Sequence, residues 1–291
     1  MSSHESLNRQ LRRMLKPGAG LMMAGAGNAL TARMVEAAGF PLVFISGAAV
    51  ANTYLGMPDI GLASVTELAD HVRAIRDVVG IPIVVDADTG FGNALNTRRT
   101  VQLLERCGAN AIMLEDQTYP KRCGHFDGKD VIGQEEMVSK IKAAVDARVD
   151  PDLMIMARTD ARAVEGLQGA LDRARAYQQA GADFLFVEAP LDRHELLAIP
   201  KAVPGIHVCN MVIGGKTPLL PREELAAAGY AVVMYANAAL QAAMLAMQQV
   251  LGHLNARGSI EGVEDKLMMF ADRQKVLDAA KFKDLEQRYK A

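Results

Sequence analysis

Eight short apolar runs, separated by segments of helical pattern, constrain the fold of this 291-residue chain more than any other feature. Their hydrophobicity is continuous rather than alternating, which is typical of parallel strands covered on both faces. Helical spacing recurs between the runs, as in LADHVRAIRDVV and ALDRARAYQQA. Eight β/α units predict a closed α/β barrel of the (β/α)8 TIM type rather than an open doubly wound sheet. The runs are LMMAG near 21, LVFIS near 42, PIVVDAD near 82, AIMLED near 111, LMIMART near 153, FLFVEA near 184, HVCNM near 207 and AVVMY near 231.

A weak internal repeat marks the start of several strands. The segments EAAGFPLVF, ERCGANAIM, QQAGADFLF and AAAGYAVVM each contain the last turn of a predicted helix, a glycine and a buried strand. Glycine is suited to the left-handed cap that ends many helices. The segment DVVGIPIVV follows the same pattern, so the repeat favours a regular β/α architecture.

The chain continues beyond the eighth unit. The apolar helix NAALQAAMLAMQQVLGHL follows the last strand, and an amphipathic tail follows a glycine-punctuated stretch. We therefore expect one barrel domain over residues 1–291, with residues 252–291 as a C-terminal helical extension. The apolar positions of the tail are expected to pack on the barrel or on another subunit. These positions are Leu267, Phe270, Val276, Leu277 and Leu285.

Charge and cysteine content exclude several protein classes. The 32 Lys and Arg residues nearly balance the 34 Asp and Glu residues without a long block of one sign, which argues against a nucleic-acid partner or a polybasic membrane anchor.

The amino terminus lacks the apolar core of a secretion signal, and no run reaches the roughly 18 apolar residues of a spanning helix. The three cysteines are far apart, so reduced thiols and a cytoplasmic location are expected.

Polar residues finish most of the apolar runs. In a parallel barrel the active site forms at the carboxyl ends of the strands, so one rim collects these side chains. They are Ser46 and Gly47 after strand two, Asp86 and Asp88 after strand three, Glu115 and Asp116 after strand four, Arg158 and Asp160 after strand five, Glu188 after strand six and Asn210 after strand seven.

Asp86, Asp88 and Glu115 form an all-oxygen acidic group on this rim. Such a group suits Mg²⁺, or Mn²⁺, better than zinc. The alternative is that the carboxylates cap helices or pair with Arg158. Three crowded carboxylates would repel one another without a cation and raise at least one pKa, which favours metal binding.

The segment PKRCGHFDGK follows strand four and carries Cys123 to the same rim. Zinc bound by Cys123 and His125 alone would have too few ligands. The positive neighbours Lys121, Arg122 and His125 favour the thiolate and predict a proton donor or acceptor at Cys123. Cys107 and Cys209, by contrast, are interpreted as structural thiols.

The motifs FISGAAVA, VVDADTGFGN, LEDQTYPKRCGH, MARTDA, VEAP and NMVIGGKTP occur in this order and resemble the isocitrate lyase and phosphoenolpyruvate mutase superfamily. The resemblance implies a β/α barrel whose last helix is exchanged with a neighbouring subunit, in a homotetramer built from two helix-swapped dimers. It also implies that Asp88 lies nearest Mg²⁺, while Asp86 and Glu115 act largely through bound water.

The resemblance further implies roles for the rest of the rim. Ser46, Gly47 and Ala48 would cradle the α-keto-acid portion of a small di-acid substrate. Arg158 would clamp substrate oxygens, Glu188 and Asn210 would meet the second carboxylate region, and Asp59 would lie near the reacting end. The segment with Cys123 would close over the site, with Gly124 and Gly128 allowing the bend and Lys121 and His125 tuning the thiol.

In lyases of this superfamily a 2-hydroxy acid loses its hydroxyl proton, a carbon-carbon bond breaks, and the loop cysteine protonates the carbanion. The KRCGH segment favours these lyases over mutases of the phosphoenolpyruvate type and oxaloacetate decarboxylases. Two other features argue against a tricarboxylate substrate: Val212, and the lack of a cation over residues 236–250. The pattern NMV-GGKTP is closer to 2,3-dimethylmalate lyase-like and carboxyphosphonoenolpyruvate mutase-like proteins, although Ile213 replaces an acidic residue common in both. We therefore expect a Mg²⁺-dependent lyase acting on a 2-substituted malate-like acid. The alternatives are carboxyphosphonoenolpyruvate rearrangement and a non-catalytic barrel that binds a keto acid.

Overall fold

A computed structural model describes residues 6–124, 126 and 128–290 and contains a closed barrel of eight parallel strands. The strands follow one another around the barrel in sequence order, and the last pairs with the first. The predicted (β/α)8 barrel is therefore confirmed. The strands are β1 Leu21–Ala26, β2 Val43–Ile45, β3 Ile83–Asp86, β4 Ala111–Glu115, β5 Met154–Thr159, β6 Phe184–Val187, β7 His207–Asn210 and β8 Tyr230–Tyr235.

Helices precede the barrel, connect its strands and follow it. They are α1 Leu7–Met14, α2 Ala29–Ala37, α3 Gly47–Val50, α4 Val65–Arg76, α5 Ala94–Arg106, α6 Gln134–Ala147, α7 Arg162–Gln179, α8 Arg193–Ala202, α9 Arg222–Ala228, α10 Ala238–Arg257, α11 Phe270–Val276 and α12 Ala279–Arg288. A π-helical turn, Ala51–Leu55, follows α3, and a 3₁₀ turn, Glu264–Lys266, precedes α11. Over the described part of the chain, no helix has the length and apolarity needed to cross a bilayer.

Buried strand residues belong to three hydrophobic clusters, the smallest of which joins Cys209 and Val233 to Leu225 of α9. Met23, Phe44 and Met156 belong to a cluster of inward-facing strand residues, and α1 adds Leu11 to it. A second and larger cluster contains the outward-facing strand residues and the apolar faces of α2 to α8. Because both faces of the strands are buried, their sequences are continuously apolar, as the sequence pattern predicts.

The glycine repeat corresponds to the helix ends that it predicts. Gly39, Gly108, Gly181 and Gly229 have φ values of 85°, 100°, 106° and 114°, so each ends its helix in the left-handed region. Gly80 is the exception, since it does not have a positive φ. Its N–H instead donates to the carboxylate of Glu36 at 2.7 Å.

The chain divides into two compact units, one ending at residue 238 and one beginning at residue 239. The second unit contains most of α10, together with α11 and α12. The predicted start of the C-terminal extension, residue 252, lies inside α10. Phe270 and Leu277, two of the apolar positions predicted to pack, are 69% and 39% exposed.

A buried network around Asp116 ties the ends of β4 and β5 to α7. Its carboxylate accepts hydrogen bonds from Thr159 Oγ1 at 2.7 Å, Tyr177 OH at 2.8 Å and the backbone N–H of Asp160 at 2.9 Å. Arg173 lies 3.3 Å from the same carboxylate and also pairs with Glu165. Burial, followed by the charge of Asp160, raises the pKa of Asp116. The network fixes the segment that leads into the carboxyl-terminal rim.

Arg173→Met is expected to lower the free energy of unfolding by about 3–5 kcal/mol, because it leaves a buried carboxylate without its cation. Urea unfolding at fixed protein concentration measures this loss. Arg175→Met is the matched control on the same helix, where the side chain is 41% exposed and pairs with Asp172. Its cost should stay below about 1 kcal/mol. Equal costs for the two variants would contradict the structural role of the network.

Candidate active site

A cavity of about 50 Å³ lies among the side chains that follow the barrel strands. Most of the side chains predicted from the strand ends line it, because the carboxyl ends of parallel strands meet at one end of the barrel. The lining residues are Phe44, Ser46, Ala48, Asp59, Asp86, Cys123, Gly124, Arg158, Glu188, Asn210, Val212, Met234, Ala236 and Asn237. The remaining predicted residues, Gly47, Asp88, Glu115 and Lys121, each contact a member of this lining.

Asp86 is held at the end of β3 by backbone donors. Its carboxylate accepts hydrogen bonds from the N–H of Gly47 at 3.2 Å and from the N–H of Asp88 at 3.1 Å. Asp88 itself has a φ of 47°, in the left-handed region that aspartate tolerates better than most residues. A Cβ at Gly47 would lie 3.0 Å from Asp88 Oδ1 and 3.2 Å from Asp86 Oδ2. The absence of a side chain at residue 47 therefore lets the turn approach both carboxylates.

Glu115 is the most deeply buried member of the acidic group, with 1% of its surface exposed. Neither of its carboxylate oxygens has a hydrogen-bond partner among the described residues, and Arg158 Nη1 lies 3.4 Å away. Burial raises the pKa of Glu115, and the charges of Arg158 and Lys121 oppose this change. Such oxygens can still accept hydrogen bonds from water molecules around a cation.

Lys121 connects Asp59 with Asp88. Its ammonium nitrogen lies 2.6 Å from Asp59 Oδ1 and 2.8 Å from Asp88 Oδ1, and its side chain is 3% exposed. Burial raises the pKa of Asp88 to about 7, with Lys121 lowering it and Asp86 and Asp59 raising it. Burial lowers the pKa of Lys121, but the charges of Asp88 and Glu115 outweigh it and keep the group an ammonium.

The acidic group does not form a closed metal cage by itself. Within residues 6–124, 126 and 128–290, no three His, Cys, Asp or Glu side chains are arranged to hold a metal ion directly. Mg²⁺ differs from zinc in keeping several water ligands and binding through one or two carboxylates. The unpartnered oxygens of Glu115 and the cavity beside Asp86 fit a cation of that kind, held partly through water.

Arg158 occupies the centre of the charged part of the site. Its guanidinium makes a two-point contact with Asp160, at 2.9 Å and 3.0 Å, and also lies near Glu115 and Glu188. Phe186 lies below it, with 5.4 Å between the guanidinium carbon and the ring centroid. Burial lowers the pKa of Arg158. The charges of Asp160 and the other neighbouring carboxylates outweigh this effect, so the pKa lies above its usual value and the side chain stays charged.

Cys123 lines the cavity, although it follows β4 by eight residues. The backbone N–H of Cys123 donates to the carbonyl of Asp59 at 3.2 Å, and the preceding residue, Arg122, exchanges two hydrogen bonds with Gln117. A Cβ at Gly124 would lie 2.6 Å from Glu188 Oε1, so only glycine allows this approach. His125 lies outside the described residues, and its predicted role remains a prediction.

Two polar residues at the site, Asn237 and Lys129, and the apolar lining residues Phe44, Met234 and Ala236 were not among the predicted site residues. Asn237 accepts a hydrogen bond from Ser46 Oγ at 3.3 Å, and the strand-end rule could have found it because it lies just after β8. Lys129 contacts Asp160 Oδ1 at 2.9 Å and donates to the carbonyl of Gly124. Its polar loop sequence carries no periodic signal, so only the folded chain reveals these partners.

Comparisons with known sequences agree with the geometry. A family model described as phosphoenolpyruvate phosphomutase matches residues 11–255. The 2,3-dimethylmalate lyase of Eubacterium barkeri is 42% identical over 280 residues, which cover 96% of this chain and 97% of the relative. The chloroplastic carboxyvinyl-carboxyphosphonate phosphorylmutase of Arabidopsis thaliana is 42% identical over 284 residues, which cover 96% of this chain and 84% of the relative.

Solved structures agree as well. A crystal structure of 2,3-dimethylmalate lyase matches with a TM-score of 0.91 at 29% identity, covering 98% of this chain and 96% of the other. Phosphonopyruvate hydrolase in complex with oxalate and Mg²⁺ matches with a TM-score of 0.87 at 32% identity, covering 98% of this chain and 99% of the other. The family match, the barrel and the motifs on its rim agree, and the chain therefore belongs to the phosphoenolpyruvate phosphomutase family, within the isocitrate lyase superfamily.

Proposed function

We propose that this protein is a Mg²⁺-dependent lyase that cleaves a carbon-carbon bond of a 2-substituted malate-like acid and releases an α-keto acid and a smaller carboxylate. The observation that carries this proposal is the presence of the Cys123 thiol in the same small cavity as Arg158 and Asp86. A thiol beside an anion clamp can protonate a carbanion as it forms. The 42% identity to 2,3-dimethylmalate lyase supports the same class of reaction.

The keto-acid portion of the substrate would bind between Arg158 and the Ser46 turn. Ser46 and Ala48 line the cavity, whereas the N–H of Gly47 is committed to Asp86. Gly47 would therefore act by fixing the acidic group rather than by contacting substrate. Asn210 and Glu188 line the cavity too and would contact the second carboxylate region. Asp59 would lie at the reacting end, held by Lys121.

The metal would be bound at the acidic group, by Asp88 directly and by Asp86 and Glu115 through water, and Mn²⁺ has the same ligand preferences. When bound, a divalent cation supplies Lewis-acid stabilisation of the negative charge that develops on the keto-acid oxygens. The Mg²⁺ and oxalate in the phosphonopyruvate hydrolase complex support this assignment. Burial, and to a lesser extent the charges of Asp86 and Asp59, raise the pKa of Asp88, so a bound cation would stabilise its carboxylate form.

Cys123 would donate the proton that completes the reaction, with Lys121, and His125 as predicted from sequence, tuning the thiol. The cavity is small, and Phe44 and Met234 form part of its apolar wall. Water is therefore largely excluded, and the carbanion would collect its proton from the thiol rather than from solvent. Gly124 allows this segment to lie against Glu188.

The lining of the cavity supports a dicarboxylic rather than a tricarboxylic substrate. Arg158 is the only cation among the described lining residues, so a third carboxylate would be buried without a partner. Phe44, Val212, Met234 and Ala236 offer apolar contacts to alkyl substituents. These features favour a malate that carries an alkyl group.

Carboxyphosphonoenolpyruvate rearrangement is the second candidate, and the 42% identity to the Arabidopsis thaliana phosphorylmutase favours it. A barrel that binds a keto acid without turnover is less well supported. A simple binder would gain nothing from a thiol held at the cavity.

For the assembly we propose a homotetramer of two helix-swapped dimers. The second unit, from residue 239 onward, supports it because many of its large apolar side chains are exposed. They include Met244, Leu245, Met247, Leu251, Met269, Phe270 and Phe282, each more than half exposed. The cytoplasmic location stays a prediction.

A substrate panel tests the reaction class. We expect α-keto acid to be released from 2,3-dimethylmalate or 2-methylmalate only when Mg²⁺ is present, and little release from isocitrate, 2-methylisocitrate or oxaloacetate. A coupled dehydrogenase assay measures the keto acid. Turnover of carboxyphosphonoenolpyruvate in place of the malates, followed by phosphorus NMR, would favour the mutase instead.

Mg²⁺ and oxalate together are expected to raise the melting temperature, because a ligand bound only by the native state stabilises it by about 2.7 kcal/mol at a concentration 100-fold above its Kd. Differential scanning fluorimetry measures the shift. Oxalate without Mg²⁺ should give a much smaller shift, since acidic groups surround the cavity. Asp88→Asn should abolish the response to the pair. The absence of any shift in the wild type would favour a scaffold.

Cys123→Ser is expected to lower kcat by at least about 100-fold, the typical contribution of a positioned proton donor. The Mg²⁺-dependent shift with oxalate should survive, because the change leaves the clamp and the acidic group intact. Cys107→Ser is the matched control and should keep its activity, since Cys107 packs against the helices outside the barrel. Unchanged turnover in the Cys123 variant would remove the thiol from the mechanism.

A further inference from the structure

Lys129 is a buried cation that the proposed reaction does not use. Its side chain is 1% exposed, and its ammonium nitrogen lies 2.9 Å from Asp160 Oδ1. The same nitrogen donates a hydrogen bond to the carbonyl oxygen of Gly124, the neighbour of Cys123. Removing an ammonium from water is costly, so both contacts contribute to its stability in this place.

The first partner, Asp160, belongs to the fixed wall of the barrel. Its carboxylate is fully buried and receives the two-point contact from Arg158, and its N–H donates to Asp116 at 2.9 Å. Burial raises the pKa of Asp160, but Arg158 and Lys129 lower it to about 2. Asp160 therefore remains a carboxylate at every pH at which the protein would work.

The second partner, Gly124, belongs to the loop between β4 and α6. Hydrogen bonds between Thr118 and Asp130 and a bridge between Gln117 and Val131 close the base of this loop, but they join the loop to itself. Upstream of the thiol, the Cys123 N–H reaches the Asp59 carbonyl. Downstream, the contact of Phe126 with the Cys123 carbonyl is also internal to the loop.

Lys129 therefore supplies a contact between the thiol-bearing tip of the loop and the barrel wall. We propose, on the basis of the proposed function, that Lys129 is a positioning residue that holds Cys123 at the cavity by linking the Gly124 carbonyl to Asp160. Because Asp160 also fixes Arg158, the link sets the distance between the proton donor and the anion clamp. A neutral side chain at residue 129 would remove the link between the Gly124 carbonyl and the barrel wall on the downstream side of the thiol, while the thiol, the clamp and the upstream contact of Cys123 with Asp59 remain.

The test measures the exposure of the thiol and does not depend on catalysis. Iodoacetamide labelling of the purified full-length protein, read peptide by peptide by mass spectrometry, gives separate rates for Cys123 and for the buried Cys209, which serves as an internal reference. Lys129→Met is expected to accelerate labelling of Cys123 by about tenfold or more, as for the loss of a hydrogen bond to a charged group, and to leave Cys209 unchanged. Lys129→Arg should restore slow labelling.

Lys142→Met is the matched control, because it makes the same chemical change on the exposed face of α6. It should label like the wild type. With a substrate identified, Lys129→Met should lower kcat more than it changes KM, since the clamp is intact. Labelling of Cys123 at the wild-type rate in Lys129→Met would overturn the proposal.

Two further outcomes remain decisive. If Lys129→Met fails to fold, Cys209 labels rapidly too, and Lys129→Leu then decides: it has no donor for either partner, and fast labelling of Cys123 alone supports the link, whereas slow labelling refutes it. If no malate is cleaved but Lys129→Met exposes Cys123, the link stands and the proposed lyase activity fails. If malates are cleaved and Cys123 stays protected, the lyase stands and the link fails.

Discussion

The contact between Arg158 and Asp160 is the interaction on which the rest of the rim depends. Both groups are buried at the carboxyl end of β5. The Asp160 carboxylate also accepts a hydrogen bond from Lys129, and the backbone N–H of Asp160 donates to the carboxylate of Asp116. A buried carboxylate is stable only when such partners surround it, so the pair and its neighbours must form together. The anion clamp, the loop tip and the end of β4 are thereby set relative to one fixed carboxylate.

Much of this arrangement can be predicted from the sequence, because the residues that end successive parallel strands lie at the same end of a barrel. Once the continuous apolar runs indicate parallel strands, the residue that ends each run must lie on one rim. Asp86, Arg158 and Asn210 were found in this way, and all line the cavity. The glycine repeat predicts helix ends for a similar local reason, and Gly80 departs from it, since its N–H donates a hydrogen bond to the carboxylate of Glu36.

The remaining features depend on contacts between distant parts of the chain. Asp116 meets Arg173 and Tyr177 across 57 and 61 residues, and no local pattern indicates such partners. Lys129 lies near Gly124 in sequence, but its ion pair is with Asp160, which directly follows β5 and is distant in sequence. The acidic group shows where prediction from the sequence ends. Its residue types were predicted, but only the folded geometry shows that no three such side chains among the described residues are arranged to hold a metal ion directly.

The balance of charge around the cavity has a consequence for the order of events. Asp59, Asp86, Asp88, Glu115, Asp160 and Glu188 outnumber the nearby cations Lys121, Lys129 and Arg158. On the proposed mechanism, a dianionic acid approaching such a rim would be repelled less strongly once a divalent ion had offset part of the negative charge. Under that proposal the ion would bind first and the organic acid second, and the bound acid would then hold the ion in the site until the products had left.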